Sequence, residues 1–293
     1  MLHPTAKHEH TGDTRLQTTV ERAERSMIYG LTEAARRLHP DGQVATLLLQ
    51  SGGAAIFAPD STDYRMKFAF LTRNGLSEQN MRVLENAYVF CDGPVSLFIP
   101  TLAPSETFDR LRSRGFSSQG LINVLIGSLN DIMATQPAQL KPSSIVDDMM
   151  IAQATPDDYS AFIEYHGGSG DGTSSERLKV TAQIATQISN TTIFLAKLDG
   201  RIVAATTVTL LEAASNEVAA YTALTSTLAE CRGKGVSTAL KRFVHDWLKE
   251  RGCRWVFAHV EADNSNRRVL EKLGYKVAFT HAVYVKSSGS ESC

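Results

Sequence analysis

The stretch TSTLAECRGKGVSTAL, residues 225–240, joins a predicted apolar strand to a predicted amphipathic helix. Gly233 and Gly235 lack a Cβ atom, so the backbone can turn tightly and approach a ligand closely at this point. The helix that follows would direct its free N–H groups and its positive dipole end at the turn. The stretch therefore predicts an anion-binding turn suited to a phosphate or a pyrophosphate.

The helix after this turn carries apolar residues at three- and four-residue steps, as one face of an amphipathic helix does. These apolar residues are Val236, Ala239, Leu240, Phe243, Val244, Trp247 and Leu248. The charged residues between them are predicted to face solvent, and they are Lys241, Arg242, Asp246, Lys249 and Glu250.

Two common phosphate-binding motifs do not fit the turn. A P-loop needs a glycine five residues before its Gly-Lys pair and Ser or Thr directly after the lysine, whereas Leu228 and Gly235 occupy these positions. A dinucleotide-binding G-x-G-x-x-G would need a glycine at Thr238 and would open a βαβ unit near the start of a chain or domain. A plain helix-entry turn is the remaining alternative.

The turn resembles the acetyl-CoA pyrophosphate loop of the GNAT acetyltransferases, which reads Arg-x-x-Gly-x-Gly/Ala between a strand and a helix. Arg232, Gly235 and Ser237 stand at the fixed positions. The segment DNSNRRVLEKLGY, residues 263–275, resembles the second signature of that family, an Asn-containing turn, a short helix and then Leu-Gly-aromatic. The two signatures follow each other in the family's order, about forty residues apart.

The resemblance implies how acetyl-CoA would be held. Strands at 217–227 and 255–260 would splay apart, and backbone groups near Thr225, Ser226 and Thr227 would bind the pantetheine arm like an added strand. The predicted pyrophosphate site comprises Arg232, Gly233, Lys234, Gly235, Val236, Ser237 and Thr238. Asn264 and Asn266 stand where the family's Asn turn contacts CoA, and an Asx cap on the following helix is the alternative for both.

The resemblance also implies direct acetyl transfer to an amine. The acceptor must lose a proton before it attacks, and a backbone N–H near Ser226 or Thr227 would stabilise the oxyanion. Glu217 and Tyr221 share one face of the predicted strand, and they are the predicted catalytic residues. A strand-surface role is the alternative for them, and His259 and Glu261 form a rival pair on the other cleft strand.

One position departs from the family's pattern. The family often has a tyrosine just before the Glu-Lys-Leu-Gly segment, placed to protonate the leaving thiolate, whereas this chain has Leu270. Either another group protonates the thiolate, or CoA leaves as a thiolate and takes its proton from solvent.

The chain contains an internal repeat, because its two halves align without a gap when 159 is added to the residue numbers of the first half. Gly115 then falls on Gly274 and Phe116 falls on Tyr275. The first copy lacks the anion-binding turn, since the counterpart RNGLSE, residues 73–78, has one glycine and an acid where a phosphate would lie. Generic spacing in two α/β halves is the alternative to a duplication.

This alignment predicts an α/β (α+β) fold of two tandem GNAT-like domains, each a mixed, mostly antiparallel sheet flanked by helices. Residues 1–133 are predicted to form a degenerate GNAT-like domain, 134–147 a linker, 148–286 the acyl-CoA-binding catalytic domain and 287–293 a tail.

Composition narrows the class of partner. The 293 residues carry a net charge of −1, which gives no general attraction to nucleic acid or acidic membranes. The four cysteines form no C-x-x-C pair, so neither a disulfide framework nor a metal site is predicted. Since no membrane-spanning or signal-peptide apolar stretch is found, we expect a cytoplasmic protein. We expect it to be a monomer or a homodimer.

The sequence favours an acetyl-CoA-dependent N-acetyltransferase that acts on the amine of a small molecule or amino-acid-like acceptor. Two alternatives stay open. One is a non-catalytic acyl-CoA-binding sensor or interaction protein, because Leu270 replaces the tyrosine and no base is assured. The other is an acetyltransferase that modifies a protein or peptide amine.

Overall fold

The computed structural model of the chain describes residues 14–57, 67–88, 94–135, 144–168, 172–262, 264 and 266–286. The predicted tail at 287–293 and residues 136–143 of the predicted linker lie outside these ranges. The predicted domain boundaries therefore stay a prediction.

Helices and strands alternate along both halves of the chain. The helices are α1 (Thr14–Leu38), α2 (Glu78–Tyr88), α3 (Ser105–Ser113), α4 (Leu129–Thr135), α5 (Ser144–Asp147), α6 (Tyr159–Gly168), α7 (Gly172–Gln187), α8 (Val236–Glu250) and α9 (Asn266–Lys272). The strands are β1 (Ala45–Leu48), β2 (Ala54–Phe57), β3 (Lys67–Phe70), β4 (Val95–Pro100), β5 (Ser117–Ser128), β6 (Met150–Gln153), β7 (Thr191–Leu198), β8 (Arg201–Glu212), β9 (Val218–Thr227), β10 (Trp255–Glu261) and β11 (Lys276–Lys286).

These strands form a single mixed sheet in the order β1-β2-β3-β4-β11-β5-β10-β9-β8-β7-β6. Most neighbours are antiparallel, and each half contributes one parallel pair, β3 with β4 and β9 with β10. The two halves exchange their last strands: β5 pairs with β10 and β11, while β11 pairs with β4 and β5. Neither half therefore completes its sheet without a strand from the other.

The repeat predicted from the sequence matches helices and strands at equivalent positions of the two halves. When β5 is moved by 159 residues it covers 276–287, and β11 covers 276–286. The same shift places α3 at 264–272, where α9 occupies 266–272. The two halves thus repeat one order of helices and strands.

The sheet separates two helical layers. Alternate residues of a strand point to opposite faces, and in β10 Val256, Ala258 and Val260 pack in one cluster with α8. Phe257 packs in another cluster with α1 and α7 on the opposite face. The helix α1, about 37 Å long at 1.5 Å per residue, packs on strands of both halves in that second layer. None of the helices in the described ranges combines the length and the apolar content needed to cross a membrane.

A glycine at the contact between α4 and α9 gives a test of this packing. A Cβ on Gly274 would lie 2.6 Å from Thr135 Oγ1, and the backbone there has φ of +96°. Its repeat counterpart Gly115 has φ of +80° with nothing within 4 Å. We expect Gly115→Ala to lower the free energy of unfolding by about 1–2 kcal/mol, and Gly274→Ala to lower it further because Thr135 must move. Urea denaturation followed by circular dichroism measures both, and equal losses would contradict this packing.

Candidate active site

The turn before α8 has the conformation that its glycines permit. Gly233 has φ of 74° and Gly235 has φ of 86°, both in the left-handed region that favours glycine. Gly235 is the N-cap residue of α8. No side-chain hydrogen bond caps this end of the helix. Most side chains at these two positions would strain the backbone, and a large one would cover the end of the helix.

The end of α8 presents a run of free backbone donors. Within the described part of the chain, the N–H groups of residues 233–238 donate to no acceptor, and the first bond runs from the Ala239 N–H to the Gly235 carbonyl at 2.9 Å. Gly233 and Lys234 are exposed, so an anion can reach these groups from solvent. Free amides and the helix dipole act in the same direction, and this turn can therefore bind a phosphate.

Two cationic side chains flank the turn at its surface. Arg232 is exposed and its Nε donates to the Thr227 carbonyl at 3.1 Å, which ties the turn to the end of β9. Lys234 is also exposed. Both cations are therefore near enough to supply charge to an anion bound at the free amides.

Lys241 lies inside the protein, and the prediction that it faces solvent is wrong. It is 7% exposed, and its Nζ donates to Ser237 Oγ at 3.0 Å and to Asn266 Oδ1 at 3.2 Å. The periodicity of α8 could not reveal this because α9 covers that side of the helix only in the tertiary structure. Burial lowers the pKa of Lys241 to about 8.

The two asparagines of the second signature have internal partners. Asn264 Oδ1 accepts the Asn266 N–H at 2.9 Å, which is an Asx cap at the start of α9. Asn266 Oδ1 accepts the bond from Lys241. Their contact with CoA stays a prediction.

The strands β9 and β10 part beside the turn. Their parallel pairing covers only Ala219–Tyr221 with 255–257. Farther along, β9 pairs with β8 alone and β10 pairs with β5 alone. A register shift in the pairing of β8 with β9 and a φ of 48° at Leu224 mark a bulge that bends β9. Thr225, Ser226 and Thr227 lie in this separated part of β9.

A cavity of about 360 Å³ opens on the α1 face of the sheet, opposite α8. The first half contributes Phe68 and Phe98 to its wall, and the second half contributes Ile184, Leu224 and His259. The separated strands lie between this cavity and the turn before α8, so one extended ligand could reach both.

His259 belongs to a buried cluster with Glu24 and His281. Glu24 Oε1 lies 2.8 Å from the Nε2 atoms of both histidines, and the side-chain exposures are 11% for His259, 1% for Glu24 and 0% for His281. Burial alone would raise the pKa of Glu24, but the charge and hydrogen bonds of the two histidines lower it to about 2. Glu24 is therefore a carboxylate and can only accept.

The contact with Glu24 places one proton on each imidazole, at Nε2. Because the carboxylate only accepts, each Nε2 must carry the proton that it donates. The Nδ1 of His281 is buried with no hydrogen-bond partner in the described part of the chain. The ring of His259 lines the cavity, and its Nδ1 is the ring nitrogen that Glu24 does not bind. His259 can thus act as a base.

The same cluster has metal-ligand spacing. One ligand atom from each of Glu24, His259 and His281 lies within 4.8 Å of the others. The predicted absence of a metal therefore stays a prediction.

The two predicted catalytic residues, Glu217 and Tyr221, lie in different parts of the structure. Tyr221 lines the cavity, and burial raises its pKa far above the usual range, so its phenol stays protonated. Glu217 does not line the cavity: its carboxylate accepts from Trp255 Nε1 at 2.6 Å and Arg254 at 2.5 Å. It precedes β9, about 26 Å along the strand from Thr225. Glu261 is exposed. The catalytic role of Glu217 stays a prediction without support from the cavity.

Leu270, at the position of the family's tyrosine, is 1% exposed and packs in the core with α8. A different phenol approaches β9, because Tyr165 of α6 accepts from Ser226 Oγ at 3.2 Å and donates to the Val203 carbonyl at 3.4 Å. Burial raises the pKa of Tyr165.

Sequence reasoning missed Glu24, His281 and Tyr165. The sequence carried a signal for Glu24, because this acid stands at an apolar position of α1, four residues after Val20 and four before Ile28.

Known proteins share this architecture. Residues 159–275 match the model of the Acetyltransferase (GNAT) family. A GCN5-related N-acetyltransferase from Kribbella flavida is similar in structure, with a TM-score of 0.64 at 14% identity over 93% of this chain and 97% of that chain. A tandem GNAT protein from the clavulanic acid biosynthesis pathway gives 0.59 at 15% identity, over 96% of this chain and 97% of that one. No curated protein matches the sequence significantly.

A third similar structure is a functionally unknown conserved protein from Staphylococcus epidermidis, with a TM-score of 0.61 at 11% identity over 87% of this chain and 97% of that chain.

Because residues 159–275 match the family model, the second half of the chain contains a domain of the acetyltransferase (GNAT) family. The likeness to the tandem GNAT protein extends over nearly the whole chain and confirms the predicted fold of two GNAT-like halves.

The turn before α8 can be tested with an isosteric pair of substitutions. Asn and Asp both tolerate the left-handed backbone at Gly235, so Gly235→Asn and Gly235→Asp differ mainly in charge. We expect Gly235→Asp to bind CoA at least about a hundredfold more weakly than Gly235→Asn, because a carboxylate would meet the pyrophosphate. Isothermal titration calorimetry measures both affinities, and equal values would place the pyrophosphate elsewhere.

The burial of Lys241 predicts a pH dependence of stability. Between its folded pKa of about 8 and the ordinary lysine value near 10.4, only the unfolded state holds the proton. The free energy of unfolding should therefore rise with pH in this window, by at most about 1.4 kcal/mol per pH unit. Lys241→Met should remove this contribution, whereas Lys249→Met, at an exposed position of the same helix, should keep it. Urea denaturation at pH 8, 9 and 10 compares the slopes; an undiminished slope in Lys241→Met would contradict the burial.

Proposed function

We propose that the protein is an acetyl-CoA-dependent N-acetyltransferase that transfers an acetyl group to the amine of a small molecule by direct attack. One observation carries this proposal: the free amides before α8 and the cavity under α1 lie on opposite faces of the sheet, and β9 and β10 separate between them. A pyrophosphate at the turn and a thioester at the cavity would be joined by an arm through this opening.

The residues around the opening suit such a carrier. The amides of residues 233–238 would hold the pyrophosphate, with Arg232 and Lys234 adding charge. The free edge of β9 at Thr225, Ser226 and Thr227 would hydrogen-bond the pantetheine amides. A backbone N–H near Ser226 or Thr227 would stabilise the oxyanion.

His259 is the proposed base, with Glu24 and His281 as positioning residues. His259 Nδ1 takes a proton from the acceptor amine as nitrogen bonds to the thioester carbon. The C–S bond then breaks, and the thiolate takes the proton back from the imidazolium, so the protons balance. Tyr221, which stays protonated and whose ring centroid lies 5.2 Å from that of His259, can donate a hydrogen bond to the leaving sulfur.

The first half would contribute to chemistry without binding CoA itself. Its helix α1 carries Glu24, and its strands β3 and β4 form part of the cavity wall. The counterpart of the anion-binding turn, residues 73–78, has the single glycine Gly75. A non-catalytic acyl-CoA sensor would have no evident need for the buried carboxylate at His259.

Incubation with ¹³C-acetyl-CoA and a cell extract tests the proposal. The wild-type protein should release free thiol and produce a labelled small amine, detected by mass spectrometry. His259→Asn should bind CoA normally and form product at least about a hundredfold more slowly, since it lacks the base. Glu261→Gln, an exposed position on the same strand, is the matched control and should keep full activity.

Three outcomes would overturn parts of the proposal. CoA binding without thiol release in any extract would favour the sensor. Label found only in proteins would favour a peptide acceptor. A stoichiometric metal whose removal by chelation abolishes turnover would replace the base at His259 with a metal.

A further inference from the structure

The cavity under α1 has an apolar wall with few free polar groups. Its threonines are already partnered: Thr207 Oγ1 donates to the Ala223 carbonyl at 3.1 Å, and Thr181 Oγ1 donates to the Arg177 carbonyl at 2.8 Å. Thr209 Oγ1 bonds to Thr191 Oγ1 at 2.7 Å. A hydroxyl that donates its one proton can still accept a hydrogen bond, so these threonines suit the N–H groups of an amine better than a carboxylate.

The charge of the wall excludes one class of acceptor. No lysine or arginine is among the residues that line the cavity in the described part of the chain. A carboxylate or phosphate on the acceptor would therefore be buried without a cation, which costs several kcal/mol. An acceptor of the amino-acid type has no partner here for its carboxylate.

The first half supplies an aromatic surface to the wall. The rings of Phe70 and Phe98 have centroids 5.0 Å apart, and those of Phe68 and Phe98 are 5.8 Å apart and nearly perpendicular. Phe70 also lies 5.3 Å from the ring of His259. An apolar body against these rings would place a short aminoalkyl arm at His259 and Tyr221, the two titratable side chains of the wall.

The volume of the cavity suits a small acceptor. About 360 Å³ is near the lower end of the range of ligand pockets. A polyamine, an aminoglycoside or a peptide chain would bring several charges or amide groups that the apolar wall does not pair.

We propose that this cavity is the acceptor site and that it selects a small primary amine with an aromatic or branched apolar body and no carboxylate or phosphate. This proposal rests on the proposed acetyl transfer. It assigns the choice of acceptor to the half that has lost the anion-binding turn, because Phe68, Phe70 and Phe98 all belong to the first half.

A matched pair of acceptors tests the assignment. Phenylethylamine and phenylalanine share one apolar body and one primary amine, and they differ by the α-carboxylate. With acetyl-CoA and thiol detection, we expect kcat/KM for phenylethylamine to exceed that for phenylalanine by at least about a hundredfold, because the carboxylate would be buried unpaired. Spermidine, which carries further cations, should react as poorly as phenylalanine.

A substitution in α1 should change this preference. Leu31 lines the cavity and is only partly buried. Leu31→Arg would supply the missing cation, and it should narrow the preference for phenylethylamine by at least tenfold, whereas Leu31→Met should leave it unchanged. Circular dichroism and CoA affinity, which should match the wild type, show that both variants fold.

The outcomes separate this inference from the proposed function. Turnover of phenylalanine or spermidine equal to that of phenylethylamine would overturn the acceptor class and leave the acetyltransferase standing. Faster thiol release with octanoyl-CoA than with acetyl-CoA would assign the cavity to the acyl chain and overturn the inference as well. Absence of both thiol release and labelled product with every amine and extract would overturn the proposed function itself.

Discussion

The buried carboxylate of Glu24 is the contact on which the site depends. It comes from the first helix of the described chain, yet it accepts hydrogen bonds from His259 of β10 and His281 of β11. A charge in an apolar layer is unfavourable unless it is paired, and the two imidazoles donate to one of its oxygens, Oε1. The same contact therefore fixes α1 on the sheet and orients His259 toward the cavity, so that the packing of the halves and the position of the candidate base have one cause.

The exchange of β5 and β11 makes the boundary between the halves part of the sheet itself. Two domains that meet at a surface can move relative to each other when their interface is small and polar. Here backbone hydrogen bonds cross the boundary along both exchanged strands. The cavity lies under this boundary, with walls from both halves. The wall that the first half supplies does not depend on an anion-binding turn, so a half without that turn can still contribute to the candidate site.

The sheet also divides the proposed chemistry between two environments. On the α8 face, free amides and exposed cations meet solvent, where a hydrated diphosphate can bind without being buried. On the α1 face, aromatic and aliphatic side chains surround one histidine and one tyrosine. A bulge at Leu224 bends β9 away from β10 and opens the passage between them. The two faces therefore differ in polarity at the point where the strands part.

Sequence alone determined the features that depend on neighbours along the chain. Two glycines before an amphipathic helix predict a left-handed turn with free amides, and the ungapped repeat predicts two equivalent halves. The sequence offered His259 as a rival catalytic residue but did not identify Glu24 as its partner. It also predicted that Lys241 faces solvent. Only the tertiary structure decided these points, because Glu24 is 235 residues from His259 and α9 covers Lys241 only after folding. Local periodicity carries no information on which distant side chain will lie against a strand, and a buried charge depends on that partner.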